Sequence, residues 1–399
     1  MTRRGRSILV LGPVVYLAAW AFGSKPLYPV AAGLLLAAGL TWIWVHLSNG
    51  SFRVHRDLGE REYVEGDDVQ LSIAVEPGGT LPVPIAELVE SVGRLGEQRH
   101  VLRRRASRLA ITYVLNEVPR GRYVFTDSRL VLSDPFGLQR VVVPIETPGA
   151  LLVYPRLVRL DRLFSESGAH AFDGRRLLLR RPTGYDLHSV REYEQGESLR
   201  HVHWRSTAHR GQLMVKELED APRDELAVVL DAGAGAVPGE SFDVQVRAAG
   251  SILDAYVRRG RRAVLVVNGE RPESQRVHSP AADRGRALEV LAAVEPFGNA
   301  PANALLAQEA SPAARALELV VVTSRVDRAL ADRLVQRSLA HRTTSLVYVD
   351  APTFAGAAPT VEPSLLRLQS SGVAVAVVRA GDDLATALEG DPVVAAARG

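Results

Sequence analysis

Leu226-Ala227-Val228-Val229-Leu230, closed by Asp231, is an unbroken apolar run. A strand wet on one face alternates apolar with polar; a strand buried on both faces reads like this one. Downstream, Phe242, Val246, Ala249, Leu253, Tyr256 and Val257 recur at helical spacing, which predicts an amphipathic helix. The couplet then repeats. Ala263 to Val267 reads as a strand, and Leu288, Leu291 and Ala292 suit a helix. Leu317 to Val322 is the next strand, followed by a helix using Leu330, Leu334 and Leu339. Ser345 to Val349 and Val373 to Val378 complete the set. Strands alternating with helices predict a mostly parallel sheet with helices on both faces, an α/β unit over residues 223–399.

The loop after Asp231 is Ala232-Gly233-Ala234-Gly235-Ala236-Val237-Pro238-Gly239. A dinucleotide fingerprint needs glycine where Pro238 stands, and a carboxylate at the strand end opposes a pyrophosphate. No cofactor is expected. The chain also lacks a Walker-type loop, a zincin helix and a nucleophile elbow.

From Ser51 to about Tyr154 the pattern changes to short apolar runs divided by glycine and proline. Val69 to Val75 alternates with period two, as a half-buried strand does. Ile85 to Val92, Leu109 to Leu115, Tyr123 to Leu132 and Leu138 to Val143 are further strand candidates. Pro77-Gly78-Gly79 and Asp134-Pro135-Phe136-Gly137 are turn signals. This spacing predicts an immunoglobulin-like β-sandwich over residues 50–154. The arginine-rich stretch with Arg99, Arg103, Arg104, Arg105 and Arg108 reads as a solvated strand edge guarded by charge, in preference to a lipid-binding patch.

Ile8 to Phe22 and Val30 to Leu47 carry no charged residue. With short extensions, both reach membrane-spanning length. Gly23-Ser24-Lys25-Pro26-Leu27-Tyr28-Pro29 supplies the turn between them, and Trp20, Tyr28, Trp42 and Trp44 fall near their ends, where amphipathic rings favour the interface. A second apolar run follows the first at once, which argues against a cleaved signal peptide. Arg3, Arg4 and Arg6 precede the first span; Arg53 and Arg56 follow the second. The positive-inside rule therefore predicts a multi-pass helical hairpin, residues 1–49, in the inner (cytoplasmic) membrane, with the bulk of the chain cytoplasmic.

The 399 residues are 47% hydrophobic and 23% charged, ordinary for a folded protein of two or three units. The chain has no cysteine, which excludes disulfides, thiolate nucleophiles and cysteine metal sites. Lys25 and Lys216 are its only lysines. That bias reads as codon composition, and with no nucleic-acid-reading motif beside it no nucleic-acid partner is expected.

Residues 155–222 form a linker that contains the densest polar motif. It runs Arg191-Glu192-Tyr193-Glu194-Gln195-Gly196-Glu197-Ser198-Leu199-Arg200-His201-Val202-His203-Trp204. Arg191 and Arg200 can pair with Glu192, Glu194 or Glu197, while Tyr193 and Trp204 anchor by apolar burial. His188, His201, His203 and His209 could suggest a metal site, but Arg200, Arg205 and Arg210 beside them oppose a cation. Glu192, Glu197 and His203 could act as acid and base, yet no nucleophile accompanies them.

The hairpin, the Asp134-Pro135-Phe136-Gly137-Leu138 turn, Arg120-Gly121-Arg122-Tyr123, and the Arg191-Glu192-Tyr193…Gly196-Glu197…Arg200…His203-Trp204 signature with Ala208 together resemble the bacterial domain of unknown function 58 family. Glu197 stands where that family usually carries aspartate. The resemblance implies association with MoxR-type AAA+ ATPases. It also implies that the C-terminal unit is similar to a von Willebrand factor A domain, which commonly holds a divalent cation through Asp-x-Ser-x-Ser. Here the matching positions read Asp231, Gly233 and Gly235, and Thr323 opens a turn without an acidic residue. A degenerate cation site, with the cation lost or very weak, is therefore expected. The expectation is a non-enzymatic, membrane-anchored adaptor that docks a MoxR-type ATPase in assembly or maturation of envelope proteins. The alternatives are a membrane-associated enzyme using Glu197 and His203, or a cation-dependent ligand-binding module.

Overall fold

The computed structural model describes residues 1–48, 50–59, 61–79, 83–105, 108–125, 127–145, 149–164, 187–192, 202–218, 225–233, 240–277, 283–308, 311–360 and 362–390. The chain divides into two compact units, Met1–Tyr154 and Pro155–Gly399.

The first unit opens with two helices, α1 (Arg3–Phe22) and α2 (Leu27–Leu47), both long and apolar enough to cross a membrane. Thr2 caps α1 by accepting the Gly5 N–H, and Gly23, at φ 65°, ends it in the left-handed conformation that glycine adopts without a steric cost. Buried positions recur every seventh residue, at Gly5, Gly12 and Ala19 on α1 and at Ala31, Ala38 and Val45 on α2, with Thr41 buried between the last two. Small residues at that spacing let two backbones approach closely. A Cβ on Gly12 would lie 2.7 Å from the Leu35 side chain, and the Tyr16 and Tyr28 rings meet edge-on at 5.4 Å. The other faces leave Leu9, Leu17, Phe22, Leu36 and Leu40 exposed.

The strands that follow are β1 (Phe52–Asp57), β2 (Tyr63–Val64), β3 (Val69–Pro77), β4 (Ile85–Ser91), β5 (Glu97–Val101), β6 (Arg103–Arg105), β7 (Arg108–Leu115), β8 (Gly121–Val124), β9 (Ser128–Ser133), β10 (Arg140–Ile145) and β11 (Ala150–Tyr154). They form a four-stranded sheet β1-β3-β7-β6, a second four-stranded sheet β10-β9-β4-β5, and a three-stranded sheet β2-β11-β8. Val69, Leu71, Ile73 and Val75 of β3 pack in one core with Leu88 of β4, Leu130 and Leu132 of β9 and Leu151 and Val153 of β11. The alternation read from β3 is thus one face turned into that core and one turned away from it. The run from Tyr123 to Leu132 is two strands in different sheets: β8 pairs β11, whereas β9 pairs β4 and β10. Phe125 is buried between them, and the polar Thr126-Asp127-Ser128 that follows it in sequence marks the break without glycine or proline. Arg103, Arg104 and Arg105 are the exposed edge strand β6, as expected for a charge-guarded edge.

One polar cluster lies inside this unit. The Arg56 guanidinium pairs with the Glu90 carboxylate; the two side chains are 3% and 0% exposed. Tyr113 donates to Glu90 at 2.8 Å and Ser128 at 3.0 Å. Arg56 also lies 3.7 Å from the Phe125 ring centre. Burial, then the Glu90 charge, pushes the Tyr113 hydroxyl well above the usual phenol range. His100 stacks on Tyr113 at 3.9 Å, and burial lowers its pKa against the opposing pull of Glu90.

The second unit carries β12 (Leu187–Glu192) and β13 (Met214–Leu218), an antiparallel pair, with the short helix α3 (Trp204–Arg210) between them. Its main sheet comprises β14 (Glu225–Leu230), β15 (Arg262–Asn268), β16 (Pro272–Val277), β17 (Glu318–Thr323), β18 (Thr343–Val349) and β19 (Ala374–Val378), in the order β16-β15-β14-β17-β18-β19. All pairings are parallel except that of the edge strand β16 with β15. The mostly parallel sheet expected from the sequence is therefore present, with β16 added; its Pro-Glu-Ser-Gln-Arg start carries no apolar signal.

Parity along β14 shows how the layers form. Leu226, Val228 and Leu230 face one core, shared with α4 (Ser241–Arg258) and α5 (Arg284–Ala293). Ala227 and Val229 face the other, shared with α6 (Ala302–Ala307), α7 (Pro312–Arg315), α8 (Arg328–Leu339) and α9 (Pro363–Ser370). A final helix, α10 (Leu384–Glu389), joins the first core. Residues 155–164 pack on this unit too: Leu160, Leu163 and Phe164 are buried in its core, and Ser251 Oγ accepts the Val158 N–H at 2.9 Å.

Candidate functional site

Where the strand order of a parallel sheet reverses, the connections leave to opposite sides and open a crevice at the carboxyl ends, the usual ligand site of such sheets. In this sheet the reversal falls at β14, flanked by β15 and β17. Asp231, Asn268 and Thr323 stand at the ends of these three strands. Thr323 Oγ1 lies 2.6 Å from Asp231 Oδ2. The other carboxylate oxygen, Oδ1, accepts from Asn268 Nδ2 at 2.7 Å and from the Gly233 N–H at 3.1 Å. Asn268 is fully buried; its Nδ2 also reaches the Ala300 carbonyl at 2.8 Å, and its Oδ1 accepts the Ala232 N–H at 2.5 Å. Protein donors therefore engage both carboxylate oxygens. Asp231, Gly233 and Thr323 are brought together; Gly235 lies outside the described residues. Among the described residues no group of three or more His, Asp or Glu side chains could hold a metal ion.

Asn268 was not singled out from the sequence. Its one signal is position, a polar residue closing the apolar run of β15. Gly298 was also passed over. It forms a parallel bridge with Gly233 and its N–H donates to the Ala232 carbonyl at 2.8 Å, which knits the strand ends to the loop after α5.

Of the signature segment, Arg191 and Glu192 lie in β12. Tyr193, Glu194, Gly196, Glu197, Arg200 and His201 fall outside the described residues. Val202 and Met214 are buried, and the His203 N–H donates to the Met214 carbonyl at 2.7 Å. His203 is the N-cap of α3: its Nδ1 accepts the Ser206 N–H at 3.3 Å and lies 2.7 Å from Ser206 Oγ. That geometry gives the ring a structural task at the helix start. Trp204 follows it, 66% exposed instead of buried as an anchor.

The Asp134-Pro135-Phe136-Gly137-Leu138 turn joins β9 to β10. Asp134, 2% exposed, ties the turn by accepting the Phe136 N–H at 2.9 Å and the Gln139 N–H at 2.5 Å. The turn receives α1: Thr2 Oγ1 donates to the Gly137 carbonyl at 2.7 Å, and the Thr2 N–H to the Leu138 carbonyl at 3.0 Å. Gly5 makes this approach possible, since a Cβ there would lie 2.2 Å from the Leu138 oxygen. Gly5→Ala is expected to lever α1 off the turn. The Thr2 amide hydrogen, donated to the Leu138 carbonyl, should exchange at least tenfold faster in the variant than in the parent chain.

Residues 189–352 match the family model described as protein of unknown function DUF58. That stretch is similar to the DUF58 family. The matched DUF58 region runs from β12 past β18, so it contains His203, Trp204, Asp231, Asn268 and Thr323. Over 237 residues the chain is 27% identical to the uncharacterized protein YeaD of Bacillus subtilis (strain 168), a match covering 55% of this chain and 56% of YeaD. The chain thus spans little more than half the length of that relative. Among solved structures, Cwp6 from Clostridium difficile aligns at 7% identity over 82% of this chain and 37% of its own, with a TM-score of 0.18. The Pseudomonas fluorescens alkylpurine DNA glycosylase AlkC aligns at 12% identity over 35% of this chain and 42% of its own, with a TM-score of 0.17. Likeness at that level carries no argument about fold or activity.

Proposed function

We propose that this protein is a membrane-anchored, non-enzymatic adaptor of the DUF58 family. In this reading α1 and α2 are a hairpin in the inner membrane, and the strands and the α/β unit lie on the cytoplasmic side. The α/β unit docks a MoxR-type AAA+ ATPase for assembly or maturation of envelope proteins. The observation that carries the anchor is the pair of apolar helices, of 20 and 21 residues, with large apolar side chains exposed on their outer faces. In water that surface is unfavourable; in lipid it is at home. Arg3, Arg4 and Arg6 at the start of α1 favour a cytoplasmic N-terminus.

The partner class comes from the family likeness, and the docking role is supported by two features. Asp231 is saturated by its neighbours, which suits a tie between strand ends better than an open cation ligand. Trp204 is exposed within the DUF58 match, and exposed tryptophans are strong interface anchors. The α/β unit is read as von Willebrand factor A-like and the strand unit as immunoglobulin-like on the same likeness. Trp204→Ala is expected to weaken capture of the ATPase from solubilised membranes by about 30-fold, as loss of a 2 kcal/mol anchor does, without change in expression or membrane association. Equal recovery of the ATPase with both chains, with nucleotide present, contradicts the docking role.

A further inference from the structure

At the base of the hairpin, α1, α2 and the β9–β10 turn enclose a groove of about 420 Å³. Arg4, Ser7, Ile8, Ala37, Phe136 and Leu138 line it. Arg4 is exposed at one end, and among the described residues no carboxylate lies within ion-pairing distance of it. Ile8 begins the uncharged run of α1, one helical turn beyond Arg4. The groove therefore passes from a cation to apolar side chains over roughly 6 Å along the helix. Phe136 stands beside it, 69% exposed, although Asp134 fixes its backbone. An aromatic ring on a tied backbone, left uncovered at the edge of an apolar helix pair, matches the headgroup boundary of a bilayer.

We propose that this groove binds one anionic phospholipid, with the phosphate on Arg4 and the start of an acyl chain along Ile8, Ala37 and Phe136. The proposal rests on the membrane-anchor reading. Charge complementarity selects the occupant: a cation joined to an apolar trough fits an amphiphile with an anionic head. A neutral apolar ligand leaves Arg4 unused, and a free anion leaves the trough empty. The Thr2 bonds to Gly137 and Leu138 hold the two walls together, so the bound lipid also fastens the turn to α1.

The test is native mass spectrometry of the full chain in detergent, titrated with phosphatidylglycerol and, separately, with phosphatidylcholine. The parent chain should prefer phosphatidylglycerol. Arg4→Gln should weaken that lipid about fivefold, the value of one arginine at an anionic headgroup, and leave phosphatidylcholine unchanged. Phe136→Ala should weaken both lipids. Arg122→Gln, an exposed arginine in β8, should alter neither. Equal phosphatidylglycerol affinity for the Arg4 and Arg122 variants overturns the site, as does displacement of the lipid by excess inorganic phosphate. Alkaline carbonate extraction of the same variants separates the two readings. A chain that stays in the membrane but shows no lipid preference overturns the site and leaves the anchor standing; release of the parent chain overturns both.

Discussion

Glu90→Ala is expected to cost the strand unit about 3–5 kcal/mol, the range for breaking a buried ion pair by removing one partner. Arg56 would lose its buried carboxylate partner while staying against the Phe125 ring, and Tyr113 and Ser128 would each lose an acceptor. The cost lies in the stranded groups more than in the lost attraction. Replacing both charges by apolar residues of similar volume, Arg56→Met with Glu90→Leu, should therefore recover much of the loss. Hydrogen exchange of the full chain reports this directly. Peptides covering β4 and β9 should lose protection in Glu90→Ala and regain most of it in the double variant. Unchanged protection in the single variant would mean that the pair contributes nothing to the unit.

Gly298→Ala is expected to destabilise the α/β unit by about 3 kcal/mol, at the upper end for overpacking. The added Cβ would meet the Asn268 carbonyl oxygen at 1.8 Å and the Ala232 oxygen at 2.7 Å. Both are backbone atoms and cannot swing aside. Asn268 is held at once to Asp231, Ala232 and Ala300, so relief in one direction breaks a bond in another. Gly233→Ala offers the contrast, since its nearest neighbour would be the Asp231 carboxylate at 3.1 Å. Chemical denaturation of the two variants, followed by exchange in β14 and β15, should show a large shift for Gly298→Ala and a small one for Gly233→Ala. Equal shifts would mean that the strand-end ties are not the rigid element of the crevice.

The α/β layers were legible because strands buried on both faces leave contiguous apolar runs, as Leu226 to Leu230 does. Edge strands leave no such mark: β6 is three arginines, and β16 is polar until Val277. The break after Phe125 is marked only by Thr126-Asp127-Ser128, a short polar step with neither glycine nor proline to announce a turn. Asp231 and Thr323 could be paired through the family pattern, since each ends an apolar strand. Asn268 and Gly298 act through buried geometry that only the assembled sheet creates. The turn at Asp134 was legible as a turn; its grip on Thr2 joins residues 135 positions apart and has no local signal. Tyr193, Gly196, Glu197 and Arg200 lie outside the described residues, so the geometry of the signature rests on His203 and Trp204.

Protease accessibility in oriented membranes tests the central claim most directly. With the hairpin in the bilayer and both ends inside, a C-terminal tag should survive protease added to spheroplasts and be lost when inverted vesicles are treated, while the chain resists carbonate extraction throughout. Digestion from the outer face, or release of the chain into the soluble fraction, would contradict the account.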